Sequence, residues 1–217
     1  MIQMIVRGLR VVLVSTLLLV PAFAQANAIE DIIGLYNQAA AGDEAKVETV
    51  YQQLENLIEL EGQKPLTMVY LGGTETLKGR DAWMPWNKMK YVEQGLAKID
   101  KGLDLLNANP VPFEEQPIVS GIHESHLTQA ISASTFTLLP DMFNYFERGY
   151  DIYLSLLAQP EFTKEPFAAT AWVYALAIQA AIRAEDLSQA KSWLAVMERH
   201  DANHPQTLKA IALFNKG

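Results

Sequence analysis

The residues most suggestive of chemistry are His123, Glu124, Ser125 and His126, which set two imidazoles on either side of a carboxylate. A zinc hydrolase of the His-Glu-x-x-His type needs its histidines one full helical turn apart, with the glutamate between them as general base. Here the second histidine comes one residue early, and no third ligand is identified. Two polar positions on a partly exposed helix are the simpler expectation. A metal-dependent or acid/base hydrolase using His123, Glu124 or His126 ranks last among the functions considered. His200 and His204 flank a turn that holds Asp201 and Asn203, and imidazoles there are expected to meet the negative end of a helix dipole. The adjacent acids Glu30-Asp31, Asp43-Glu44 and Glu114-Glu115 would point about 100° apart on a helix, so they read as solvated faces or first-turn dipole partners. The chain has no Gly-x-Ser-x-Gly elbow, no phosphate-cradling glycine loop and no cysteine. No catalytic residue, metal or cofactor is therefore expected.

A second cluster suits recognition better than catalysis. Arg80, Asp81, Trp83, Trp86, Lys88, Lys90 and Tyr91 gather three cations and three large aromatics in a short segment of an acidic chain. Aromatic and arginine anchors of this kind recognise a peptide carboxylate or an acidic partner helix, so these seven are the candidate binding residues. The competing expectation is structural. Trp83 and Trp86 sit three apart around a bend at Pro85, where aromatics commonly fill core, and Arg80 would then pair with Asp81 or a neighbouring helix.

The elements that must position these residues follow from composition and periodicity. The chain has 217 residues, 50% hydrophobic and 19% charged, with 25 acids against 17 Lys and Arg for a formal charge of -8. It is long enough for one ordinary domain and too apolar for disorder. The acidic balance argues against nucleic acid and anionic lipid as main partners, since both attract a cation surplus, although a local patch escapes that argument. Residues 1–28 are expected to be a secretory signal: Arg7 and Arg10 open it, an apolar run spans Val11 to Val20, and small-residue exits follow at Ala22-Phe23-Ala24 and Ala26-Asn27-Ala28. The second exit is preferred. The mature chain would then be periplasmic or secreted, with no membrane span, because the run is shorter than the ~20 residues a spanning helix needs. Without cysteine there is no disulfide and no lipobox, so burial alone must hold residues 29–217 together.

From Ile29 onward the apolar spacing is helical, and an all-α domain of about nine helices is predicted. The clearest segment runs from Trp86 to Leu106, where Met89, Val92, Leu96, Ile99, Leu103 and Leu106 form one stripe opposite a charged face. Gly95 and Gly102 lie beside that stripe, and close approach of a neighbouring helix is the expected reason. The other predicted helices run from Ile29 to a stop at Gly42, from a cap at Asp43 to Leu60, from Pro65 to Lys78, from Pro117 to Thr135, from Asp141 to Leu157, from Pro166 to Ala184, from a capping-box-like Asp186 to Arg199, and onward from Pro205. The stretch Asn107 to Pro117, with three prolines, is a loop.

These helices read as successive pairs. Asp186-Leu187-Ser188-Gln189-Ala190 through Met197 to Pro205 resembles the second half of a tetratricopeptide repeat, and the alanine-rich Trp172 to Ala184 resembles its first helix. Pro65-Leu66 through Tyr70-Leu71-Gly72-Gly73, Arg80-Asp81-Ala82-Trp83, Pro85-Trp86, Lys88-Met89-Lys90-Tyr91-Val92 and Leu139-Pro140 with Phe143 resembles a family of bacterial exported tetratricopeptide-like proteins over roughly residues 40–157. The resemblance implies antiparallel pairs stacked as a TPR-like α-solenoid and brings no assigned activity. Pair starts near 29, 65, 117 and 167 are unevenly spaced. The leading expectation is a non-enzymatic scaffold or adaptor that holds a protein or peptide partner in the cell envelope on a concave surface. An alternative is a carrier of a small apolar ligand, prompted by Phe136, Phe143, Tyr145, Phe146, Tyr150 and Tyr153, although such residues most often fill core.

Overall fold

A computed structural model describes the backbone of residues 22–215 and the side chains of residues 28–215. Residues 1–21, with the basic start and apolar run of the expected signal, lie outside the described residues. Nine α-helices, two short strands and three 3-10 turns are found among them. The first helix, α1 (Ala22–Ala40), begins before both expected cleavage points, and Ile29 is the first of its described side chains packed on the core. The chain reverses at Gly42, whose φ of 116° favours glycine, into α2 (Glu44–Glu61). Asp43 precedes that helix without forming the side-chain cap expected of it. Helices α3 (Pro65–Asp81) and α4 (Pro85–Ala108) each carry proline in the first turn, where the missing amide has no intrahelical partner anyway.

The helix predicted from Pro117 does not start there. Ile118–Val119 (β1) and Ile122–His123 (β2) form a two-residue antiparallel ladder across Ser120 and Gly121, both at positive φ as a type I′ turn needs. Helix α5 (Glu124–Leu138) begins only after it. The helix predicted from Asp141 is also divided: a 3-10 turn, Asp141–Phe143, ends on left-handed Asn144 before α6 (Phe146–Leu157). Helices α7 (Phe167–Arg183), α8 (Leu187–Asp201) and α9 (Pro205–Phe214) complete the chain. The Asp186 carboxylate accepts from the Gln189 amide at 3.0 Å, the cap read from the sequence.

The fold is all-α, built of packed antiparallel helix pairs beginning at Ala22, Pro65, Glu124 and Phe167. One core gathers α1 to α5 around Leu54, Val69, Tyr70, Leu96, Ile99 and Ile131, and a second gathers α5 to α9 around Tyr153, Leu156, Ile178, Trp193 and Met197. Helix α5 lies between them and is buried along most of its length. Its hydroxyls are satisfied locally, because Thr128, Ser132, Thr135 and Thr137 each donate to the carbonyl one turn earlier at 2.7–2.9 Å. Such bonding lets a helix rich in Ser and Thr cross an apolar interior without unpaired polar groups.

The tightest contact is between α3 and α4. A Cβ on Gly72 would lie 2.4 Å from the Gly95 carbonyl oxygen, one on Gly95 2.5 Å from that of Gly72, and one on Gly102 2.8 Å from that of Pro65. These glycines cost helix propensity, and backbone-to-backbone approach is what they allow. The close approach expected at Gly95 and Gly102 is therefore present. A Lys98–Glu75 ion pair bridges the same two helices. Among the described residues, no helix is long and apolar enough to cross a membrane.

Candidate functional site

The seven residues chosen from the sequence lie at and beside the turn between α3 and α4, and their roles divide. Arg80 is structural. It forms a fork with Asp81 at 2.6 and 3.0 Å and donates to the carbonyls of Ala39 and Ala40 at 3.1 and 3.3 Å, closing the C-terminus of α1. Cations are favoured there because the last carbonyls of a helix lack partners and carry its negative pole. Asp81 in turn holds the Arg80 guanidinium in its charged form. Lys88 donates to the Arg80 carbonyl at 3.0 Å, tying the start of α4 to the end of α3.

Trp83 and Trp86 are not core. Trp83 is 74% exposed, Trp86 66% and Met84, between them, 44%. Neither indole belongs to either core cluster among the described residues. Lys90 is exposed and Tyr91 half-buried. The turn is thus an apolar tip with cations at its base.

The histidine cluster departs from expectation in the opposite direction. His123 ends β2 and stands at the N-cap of α5, while His126 sits in its first turn, only 2% exposed. Both turn Nδ1 toward Oε1 of Glu165, at 2.9 and 2.7 Å, and the same oxygen accepts from the His123 backbone amide at 3.1 Å. The Glu165 side chain is 2% exposed. Phe113 stacks on His123, and Phe162 meets His126 edge-on. Glu165 is placed by the residue after it: Pro166 keeps it extended, at φ -65° and ψ 147°, just before α7. The carboxylate thereby pins the entry of α7 to the entry of α5.

The network behind His126 has a direction. The Ser125 carbonyl can only accept, so Gln129 presents its NH2 there at 3.2 Å and its oxygen to Gln159. Gln159 then donates to Gln129 and turns its own oxygen to His126 Nε2 at 3.2 Å. His126 thus faces Glu165 through Nδ1 and Gln159 through Nε2. Every ring position is engaged. Among the described residues, no group of three or more His, Cys, Asp or Glu side chains is arranged to hold a metal ion. Glu124, third member of the sequence cluster, points elsewhere, and burial raises its carboxyl above the usual range.

Gln129 and Gln159 also form the inner wall of an open groove of about 540 Å3 between the C-terminal half of α4, the following loop, α5 and α6. Its polar surface is mostly amide and hydroxyl, from Asn107, Gln129, Ser155 and Gln159, with Asp104 and Asp151 at its sides. Arg148 completes the charge set but is engaged, bonding Asp100 at 2.6 Å while Tyr145 donates to the other Asp100 oxygen at 3.0 Å. Gln116 anchors the loop, accepting from the Ser125 amide at 3.1 Å and donating to the Val111 carbonyl at 2.9 Å. Sequence reading did not find this groove, because its walls are separated by up to some fifty residues and made of residues common on any helix surface. The aromatics that prompted the carrier reading pack instead: Phe136, Tyr150 and Tyr153 are buried, and Phe143, Tyr145 and Phe146 are packed beside them. His200 and His204 frame Phe167, the first stacked on it and the second edge-on, and His204 caps α9 by accepting from the Gln206 amide at 3.2 Å.

Comparison with protein-family models, curated proteins and solved structures finds no match for this chain.

Proposed function

We propose that the chain is an exported, TPR-like helical scaffold of the cell envelope that binds an extended peptide segment of a partner protein in the groove between α4, α5 and α6. The observation that carries this reading is the groove lining. Carboxamides and hydroxyls offer donors and acceptors to a peptide main chain without demanding charge, and Asn107, Gln129 and Ser155 stand on helices that pack into the two cores. A site mounted on fixed helices loses little freedom on binding. Asp104 and Asp151 favour a segment carrying a basic side chain, since Arg148 is already held by Asp100. Stacked helix pairs generate extended concave surfaces of this general type, and the expected signal at residues 1–28 supplies the route to the envelope.

Ser155 is exposed at the groove, so a large side chain there fills it without entering a core. Fluorescence anisotropy with labelled basic, neutral and acidic peptides tests the reading. Basic extended peptides are expected to bind, and Ser155→Trp to weaken them at least about tenfold with an unchanged circular-dichroism spectrum. Indifference of every peptide to Ser155→Trp, or a small molecule retained by the purified protein in native mass spectrometry, would replace the scaffold with another reading.

A further inference from the structure

We propose that the tip between α3 and α4 docks the protein on an anionic lipid bilayer, with Trp83, Met84 and Trp86 seated among the headgroups and Lys88 and Lys90 against the lipid phosphates. The inference goes beyond the peptide groove and is independent of it, because α4 carries the two sites at its opposite ends.

The first observation is the exposure of three large apolar side chains within four residues, where the same helices elsewhere bury theirs. Scattered exposed apolar residues need no account, but a contiguous group marks an interaction surface. The second is projection. Asp100, fifteen residues after Pro85, already meets Tyr145 and Arg148 at the start of α6. Pro85 lies about 22 Å along α4 from that contact. Arg80 sets the α1–α2 turn level with the end of α3, so the tip stands just beyond its one flanking turn. None of Trp83, Met84 and Trp86 lines the groove between α4, α5 and α6.

The third observation is charge. Residues 78–91 hold four of the chain's 17 Lys and Arg and one of its 25 acids. Lys78 pairs with Glu48 at 2.9 Å, Arg80 is held by Asp81, and Glu44 lies on the Arg80 side of the tip. Lys88 and Lys90, on the first turns of α4, are exposed and have no ion-pair partner among the described residues. An anionic surface repels the remainder of so acidic a chain and attracts this end, which sets the orientation of approach.

Size separates a bilayer from a protein partner. A stable protein interface needs about 800 Å2 from each side, more than three side chains on a turn supply. Reversible membrane docking needs only a few interfacial aromatics together with basic residues, and indole, with an apolar body and one N–H, suits the headgroup layer. The tip is also ordered in advance. The glycine contacts between α3 and α4 and the Lys88–Arg80 bond fix the hairpin before any surface is met.

The test is co-sedimentation of the exported protein with phosphatidylglycerol/phosphatidylethanolamine vesicles and with phosphatidylcholine vesicles, while tryptophan emission is recorded. Trp193 is buried and Trp172 is packed against the cores, so a vesicle-induced blue shift reports on the tip. Binding to the anionic vesicles alone is expected, weakening with salt. Trp83→Ala/Trp86→Ala should abolish the blue shift and reduce pelleting at least about tenfold, and Lys90→Glu, which leaves the Lys88–Arg80 bond in place, should reduce it several-fold. Circular dichroism and the melting temperature should stay unchanged in both. The proposal is overturned if the wild-type protein stays in the supernatant, or pellets equally with phosphatidylcholine, or pellets undiminished after the tryptophan substitutions. It is equally overturned if gel filtration shows a dimer that these substitutions convert to monomer, because a second copy of the chain would then cover the tip.

Discussion

The His126–Glu165 cluster and the Trp83–Trp86 tip invert the usual distribution of residues in opposite senses. One places two imidazoles and a carboxylate in the interior, and the other places two indoles and a thioether in water. The interior case is closed. Glu165 accepts three hydrogen bonds, His126 uses both ring nitrogens, and the chain of amides ends on a backbone carbonyl. The exposed case is open, since nothing within the described chain covers it. Burial of polar groups is tolerable when each finds a partner inside, whereas exposed aromatics with none inside call for one outside. The difference leaves the histidines inside a structural network and the two indoles exposed.

Glu165→Ala tests the closed side most severely. It leaves a buried imidazole and a backbone amide unpaired, and about 3–5 kcal/mol of unfolding free energy should be lost in urea titration. Glu165→Gln retains an acceptor and should lose less. A loss below about 1 kcal/mol for Glu165→Ala would mean the network is not what joins α5 to α7.

Alkali tests the interior in another way. Burial pushes the Tyr36 hydroxyl up to about 12, and it shifts Tyr70, Tyr153 and Tyr174 in the same direction. The unfolded value is lower, about 10. The folded state therefore keeps protons that the unfolded chain releases. That contribution is complete below about pH 10 and is lost as pH rises through about 12, a change of roughly 3 kcal/mol for Tyr36 alone. Tyrosinate absorbance should rise together with the loss of helical ellipticity. Ionisation of these buried tyrosines well before unfolding would show an interior more open than the structure describes.

Gly72→Ala sharpens the exposed side by disturbing its support. The added methyl meets the Gly95 carbonyl and the Ile99 backbone, which belong to a helix and cannot step aside singly. A loss of about 2 kcal/mol is expected in spite of the gain in helix propensity. No loss would mean that α3 and α4 have slack and the tip is not rigidly held. Trp83→Ala/Trp86→Ala should have the smallest effect, within about 0.5 kcal/mol, because both rings are mostly exposed and outside the two cores. A clear fall in melting temperature would restore the core reading of the two tryptophans and erase the contrast.

Much of the fold is legible in the sequence. The stripe along α4, the prolines at 65, 85 and 205 and the Asp186 cap are local signals, acting through a helical turn or a first-turn amide. The ladder at 118–123 is not read from the sequence, which places a helix there; its one cue is Ser120-Gly121 between β-branched residues. The division at Asn144 carries a weaker cue, a residue that tolerates the left-handed region. Glu165 carries none. It lies 39 residues from His126, and only the packing of α7 on α5 brings the two together.

Most helix positions were therefore set by the sequence itself, because helix formation and helix stopping depend on neighbours within about four residues. Which residues are enclosed was decided by the tertiary structure. Trp83 and Trp86 have a spacing compatible with core, and His123 and His126 one compatible with a wet face. Their fates differ because burial depends on what another segment brings alongside: the entry of α7 arrives at His126, and nothing arrives at the tip.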